Sequence, residues 1–235
     1  HLLPYGLGER NGYYATGIAA NAVGGLSYTA YYQPTRQSGS ALAVVALKVP
    51  GEHNVHNSLA ALAVAHQLGL PVQKAADALS SFSGTGRRFD LQGEASGITV
   101  IDDYAHHPTE IRATLAAARQ RYSGRRIWVI WQPHTYTRLQ TLLEDFLRAF
   151  DQADQVIVTE VYAAREHNPA FSAAQVAAAI DHPSVAFAPT LENAVEQLLA
   201  QLQPGDVLLV LSAGDADQIS AKVLQNLKQK ENDHG

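Results

Sequence analysis

The sequence predicts an α/β protein: an open, mostly parallel sheet flanked by helices, preceded by a smaller β-plus-two-helix segment. Three observations predict it. Short apolar runs such as Val207-Leu208-Leu209-Val210-Leu211 suit strands buried on both faces of a sheet. From residue 98 onward such runs alternate with helix-like segments, the pattern of βα repeats joined by right-handed crossovers. Between this region and the β-rich start lies Ser83-Gly84-Thr85-Gly86, a breaker cluster that separates residues 1–82 from 83–235.

In the first part, Tyr13 to Ala19, Leu26 to Tyr32 and Ala41 to Val49 have strand composition. Turns at Val23-Gly24-Gly25 and Gln37-Ser38-Gly39-Ser40 separate them. A helix is expected from His53 to Leu68, stopped by Gly69, and a second from Val72 to Phe82 after Pro71. In the second part, strands are expected at 98–102, 126–131, 155–159, 185–187 and 206–211. Helices are expected at 108–121, 138–151, 172–181, 190–202 and 215–228. The polar tail from Lys228 is expected to fray.

The charge balance, 17 Lys+Arg against 22 Asp+Glu, argues against a general nucleic-acid binder, which needs concentrated cations. The lack of cysteine excludes disulfides, thiol nucleophiles and thiolate metal sites. No apolar run approaches a membrane span and no signal peptide is visible, so a cytoplasmic location is expected. The chain opens on His1-Leu2-Leu3-Pro4 and has no methionine, which reads as a piece of something longer.

Function is written in the turns. Asp102-Asp103-Tyr104-Ala105-His106-His107-Pro108-Thr109-Glu110 crowds carboxylates, a phenol and two imidazoles into one strand-to-helix turn. Pro108 suits the first helical position, and Glu110 suits the positive end of the helix dipole. After Trp131 come Gln132, His134, Tyr136 and Arg138; after Thr159 come Glu160, Tyr162, Arg165 and Glu166; after Leu211 come Ser212, Gly214 and Asp215. Parallel strands put these turns on one edge, where α/β sheets bind ligands. Polar capping alone is the alternative reading of these turns, and for the last two it stands level with ligand binding. Asn54 and Asn57, spaced i, i+3, share a helix face, and capping explains only the first. Arg87-Arg88 beside the breaker cluster suggests an anion gripped between two lobes; a solvated surface pair is the plainer alternative. The histidines lack zincin spacing, so no tight metal site is expected.

These segments resemble the Mur ligases. Gly51 through Ala61, Arg87-Arg88-Phe89, Asp102 through Glu110, Gln132 through Arg138 and Ala163-Ala164-Arg165-Glu166 match in order, with compatible spacing over essentially the whole chain. The resemblance implies that residues 1–82 are the C-terminal part of a central ATP-binding domain and 83–235 a Rossmann-like ligase domain. It implies an ATP-dependent acid–amino-acid ligase of peptidoglycan synthesis, in the branch that adds L-alanine to UDP-N-acetylmuramate through an acyl phosphate. ATP and Mg²⁺ are implied as cofactors, with the main metal ligands outside this sequence. The family's G-x-x-G-K-[ST] phosphate loop is absent here, so the chain alone is expected to be inactive.

Residue by residue, Asn54, Asn57, Arg88, Asp103 and Tyr104 match nucleotide-binding positions. His106 and Arg138 match the amino-acid end and are the catalytic candidates, with His134 a further member of that pocket. Thr135 stands where many relatives have Arg, which leaves Arg138 as the single cation for the amino-acid carboxylate. A recycling ligase that attaches a whole tripeptide shares the Asp102-to-Pro108 type of run but lacks the Gln-Pro-His run. A free-standing nucleotide- or muramyl-peptide-binding module and a metal hydrolase are the other readings. The sequence leaves oligomeric state open, a homodimer included.

Overall fold

The computed structural model describes residues 2–34, 39–167 and 172–234. The chain divides into two compact units, His1–Gly84 and Thr85–Gly235.

The first unit is a four-stranded sheet in the order β1-β2-β3-β4, formed by Tyr5–Gly6, Tyr13–Ala20, Leu26–Tyr32 and Ser40–Ala46. β1 pairs with β2 in parallel and the other pairs are antiparallel. Burial alternates along β3, as a sheet with one covered face requires. That face packs against α1 (Glu52–Gln67) and α2 (Val72–Ser81), with Leu26, Val45, Leu59 and Leu62 at its centre. Truncating Leu59 or Leu62 to Ala would cost about 2–5 kcal/mol. β1, only two residues long, is too short to show a period in the sequence.

The second unit is a six-stranded sheet in the order β5-β6-β10-β7-β8-β9. Its strands are β5 (Asp90–Ala95), β6 (Ile98–Asp103), β7 (Ile127–Trp131), β8 (Gln155–Thr159), β9 (Val185–Ala188) and β10 (Val207–Leu211). All pairs are parallel except β5 with β6. One face is covered by α3 (Pro108–Arg121), α4 (Tyr136–Thr141), α5 (Leu143–Leu147) and α6 (Ala173–Ala179), where Trp131 packs against Phe146 and Phe150. The other is covered by α7 (Leu191–Gln201) and α8 (Gln218–His234). The chain steps outward from β6 through β9, then returns through α7 to insert β10 between β6 and β7. Right-handed crossovers in opposite directions place their helices on opposite faces.

Two expectations change, and one strand is unexpected. The run 138–151 is two short helices. Its apolar spacing reads as one, but Leu142 leaves the helical region (φ −112°, ψ 20°) and external donors replace intrahelical ones. Arg112 donates to the Asp145 carbonyl and the Asp181 amide to that of Leu147. β5 is an edge strand that the sequence hides: only Ala95 is buried, and Gly93 marks a register shift. The C-terminal tail is helical through His234 rather than frayed. Glu231 accepts from the Ser96 amide and the Leu227 carbonyl from the Ser96 hydroxyl, which fastens the helix to the β5–β6 turn.

Candidate active site

The register sets the site. Leu211 pairs with both Asp103 and Trp131, and Trp131 pairs with Val158, so four strands end together on the C-terminal edge of the second unit. Backbone bonds continue past them: Ser212 N–H donates to the Asp103 carbonyl and Gln132 N–H to that of Leu211. Beyond β8, His134 and Tyr162 form an isolated parallel bridge.

The first turn is locked by its own side chains. His107 caps α3, with Pro108 opening the helix, and Glu110 completes a capping box. Asp103 is buried; one carboxylate oxygen accepts from the Phe89 amide and the other from the Ala105 amide, each at 2.8 Å. Burial raises its pKa, against the pull of those amides, Arg88 and Thr114. Tyr104 takes a guanidinium at 5.1 Å from Arg87 and another at 5.4 Å from Arg88. His106 Nδ1 lies 2.8 Å from the Tyr104 carbonyl, which can only accept. Nδ1 therefore carries the proton, and Nε2 of the neutral ring keeps a lone pair.

The second turn faces it. The His106 and His134 rings are 5.8 Å apart, and His134 stacks on Tyr162 at 5.6 Å. Arg138 donates to His134 Nδ1 at 3.1 Å, which leaves the hydrogen of neutral His134 on Nε2. Burial lowers the His134 pKa, helped by Arg138 and His106 and opposed by Glu166. Among the described residues Arg138 makes no ion pair. A half-buried guanidinium beside an imidazole has the chemistry to bind a carboxylate.

Gln132 ties the second turn to the one after β10. Its Oε1 accepts from the Ser212 hydroxyl and the Ala216 amide, and its Nε2 donates to Asp215. A Cβ on Gly214 would stand 2.5 Å from Gln132 Oε1 and 2.5 Å from the Tyr162 ring, so only glycine fits. The sequence marks Gln132, Tyr162 and Gly214 only as rim residues; that they lock the rim together depends on contacts 52 to 84 positions apart, for which it has no local signal.

Tyr104, His106, His134 and Arg138 thus gather at one edge of the second unit. The Arg87-Arg88 expectation is half corrected. Arg87 is a staple: it donates to the Ser212 and Gly214 carbonyls and pairs with Asp217 at 3.6 Å, because the left-handed turn at Arg87 (φ 57°) aims it inward. Arg88 is exposed and makes no ion pair among the described residues. In the first unit, Asn54 donates to the Pro50 carbonyl at 2.7 Å, and Asn57 Nδ2 lies 3.5 Å from Asn54 Oδ1, on an accessible face of α1. Among the described residues no three His, Cys, Asp or Glu side chains are grouped so as to hold a metal ion.

The Mur ligase, glutamate ligase domain model matches residues 87–214. The chain belongs to the Mur ligase family. The UDP-N-acetylmuramate–L-alanine ligase of Caldanaerobacter subterraneus subsp. tengcongensis is 37% identical over 232 residues, covering 97% of this chain and 49% of that protein. The UDP-N-acetylmuramate-alanine ligase structure from Thermotoga maritima superposes with a TM-score of 0.79 at 27% identity, over 97% of this chain and 48% of that one. A murein peptide ligase from Psychrobacter arcticus superposes with a TM-score of 0.65, also at 27% identity, over 93% of this chain and 44% of that one. This Mur ligase chain spans about half the length of the relatives it matches. Among its described residues no helix is long and apolar enough to cross a membrane.

Proposed function

We propose that this chain supplies the amino-acid-receiving face of an ATP-dependent ligase that joins L-alanine to UDP-N-acetylmuramate in the cytoplasmic phase of peptidoglycan synthesis. The observation that carries the reading is the group of Arg138, His134 and His106 on one sheet edge, in a chain whose alanine-ligase relatives match nearly all of it. Sequence relatives that are UDP-N-acetylmuramate–L-alanine ligases, at 37% to 48% identity, support alanine over a tripeptide.

In this reading ATP phosphorylates the muramyl carboxylate. Arg138 holds the alanine carboxylate through charge-assisted hydrogen bonds. His134 stays neutral so that it adds no second charge to be compensated when alanine is absent. The alanine nitrogen attacks the acyl carbon, the bond from that carbon to the phosphate oxygen breaks, and inorganic phosphate leaves. The amine must lose its proton, and the free Nε2 lone pair of His106 is the group placed to take it. Arg88, Asp103 and Tyr104 in the second unit, with Asn54 and Asn57 in the first, are assigned to the nucleotide. Asp103 acts there by fixing Phe89 and Ala105. Positioning and charge stabilisation carry such a reaction, with no protein nucleophile.

The test is L-alanine titration of the 235-residue chain, followed through the imidazole NMR signals of His106 and His134. Saturable shifts are expected with L-alanine and weaker ones with L-alanyl peptides. Shifts from the peptides alone would transfer the assignment to the recycling type of ligase. No phosphate release from ATP is expected from the chain by itself, since its sequence has no phosphate loop; alanine-dependent release would contradict that part.

A further inference from the structure

We propose that Glu166 is the positioning residue of this site: it caps helix α4 from outside and thereby sets Arg138 against His134. The proposal rests on the alanine-pocket reading only for its consequence on binding. The capping itself is independent of that reading.

Helix α4 has no cap of its own. The residue before it, Thr135, sits in the left-handed region (φ 64°) and its side chain makes no capping bond. A β-branched residue is strained there, and the first amides of the helix need an acceptor. Glu166, 29 positions after Thr137, supplies one: its carboxylate accepts from the Thr137 amide at 2.8 Å. The Tyr136 amide and the Thr137 hydroxyl also favour its charged form, and its pKa is lowered, chiefly by the Thr137 amide.

The segment that carries Glu166 is already fastened to the turn. Tyr162 N–H donates to the Pro133 carbonyl at 2.8 Å, and Thr135 N–H donates to the Tyr162 carbonyl at 3.0 Å. Residues 162–166 thus template residues 133–137 by two backbone bonds and one carboxylate. Arg138 follows at once, and its reach to His134 depends on where α4 begins. The charged and titratable groups around His134 are Arg138, His106, Glu166 and the stacked Tyr162. A carboxylate there does two things: it fixes the helix, and it partly offsets the guanidinium without pairing with it. Among the described residues no ion pair joins Glu166 to Arg138, so the cation stays open to a substrate carboxylate.

The experiment compares E166A and E166Q with the parent chain by amide hydrogen exchange, His134 titration and L-alanine affinity. Gln keeps the acceptor oxygen and loses the charge; Ala loses both. In E166A, exchange at Thr137 is expected to rise about tenfold and alanine affinity to fall about tenfold, while E166Q stays within about threefold of the parent in both. His134 is expected to titrate lower in both variants, since each removes the negative charge. A merely structural residue would not separate these readouts. Unchanged Thr137 exchange in E166A, or an E166Q as impaired as E166A, would overturn the proposal. If the parent chain itself binds no alanine, the pocket reading fails, whereas exchange and His134 titration still decide the cap.

Discussion

At the N-terminal edge of the second unit's sheet, Arg119, Arg125, Arg126, Asp154 and Asp206 all have fixed partners. Asp206 takes two bonds from Arg126, one from the Trp128 indole and one from the Gln203 amide. Arg125 donates to the Gly205 and Asp206 carbonyls, and Arg119 to Asp154. At the C-terminal edge, Arg88 and Arg138 make no ion pair among the described residues, and two imidazole rings lie 5.8 Å apart. The residue types are similar and the satisfaction differs. Closed networks hold a sheet together; open cations and a spare imidazole lone pair are what a ligand completes.

The largest expected effect is at the closed edge. Asp206→Ala strands the Trp128 and Gln203 donors and the Arg126 charge, and should cost about 3 kcal/mol, read as a lower urea midpoint. Alanine-induced shifts of His106 and His134 should survive it under folding conditions. Arg138→Ala should do the reverse. Stability should change by less than about 0.5 kcal/mol, and alanine affinity should fall by about tenfold or more in calorimetry. An Arg138→Ala chain that unfolds early, or binds as before, would erase the distinction between the edges.

A smaller effect comes from Asp102, which lies beside the site yet is closed off from it. It is buried, accepts from the Ser220 hydroxyl, and has Asp217, Arg87 and Asp90 nearby. Burial pushes its pKa up to about 6. An unfolded Asp releases its proton near 4. Between those values the folded state binds more protons than the unfolded one, so stability declines as pH rises through that window. Asp102→Asn keeps the acceptor for Ser220 and should flatten the decline, gaining about 1 kcal/mol at pH 8 and nothing at pH 4 in denaturant titrations. The smallest effect is on His134, which should titrate below the ordinary imidazole range and move upward in Arg138→Ala.

Much of this was legible in the sequence. Strand and helix positions in the second unit follow from continuous apolar runs and from Pro108 and Glu110 at the start of α3, because both signals are local. The convergence of His106, His134 and Arg138 follows from parallel topology alone. Three things were not legible. Arg87 looks like Arg88 in sequence, and only the left-handed turn sends one inward. β5 is an edge strand with almost no apolar face. The work of Gln132, Gly214 and Glu166 lies in contacts between turns, which no period within one segment encodes.

The most direct test is a backbone and imidazole chemical-shift map of the chain titrated with L-alanine. The account predicts that shifted residues cluster at 104–107, 132–138 and 160–166, with the Arg126–Asp206 edge unmoved. Shifts centred on that opposite edge, or none near Arg138 at saturation, would contradict it.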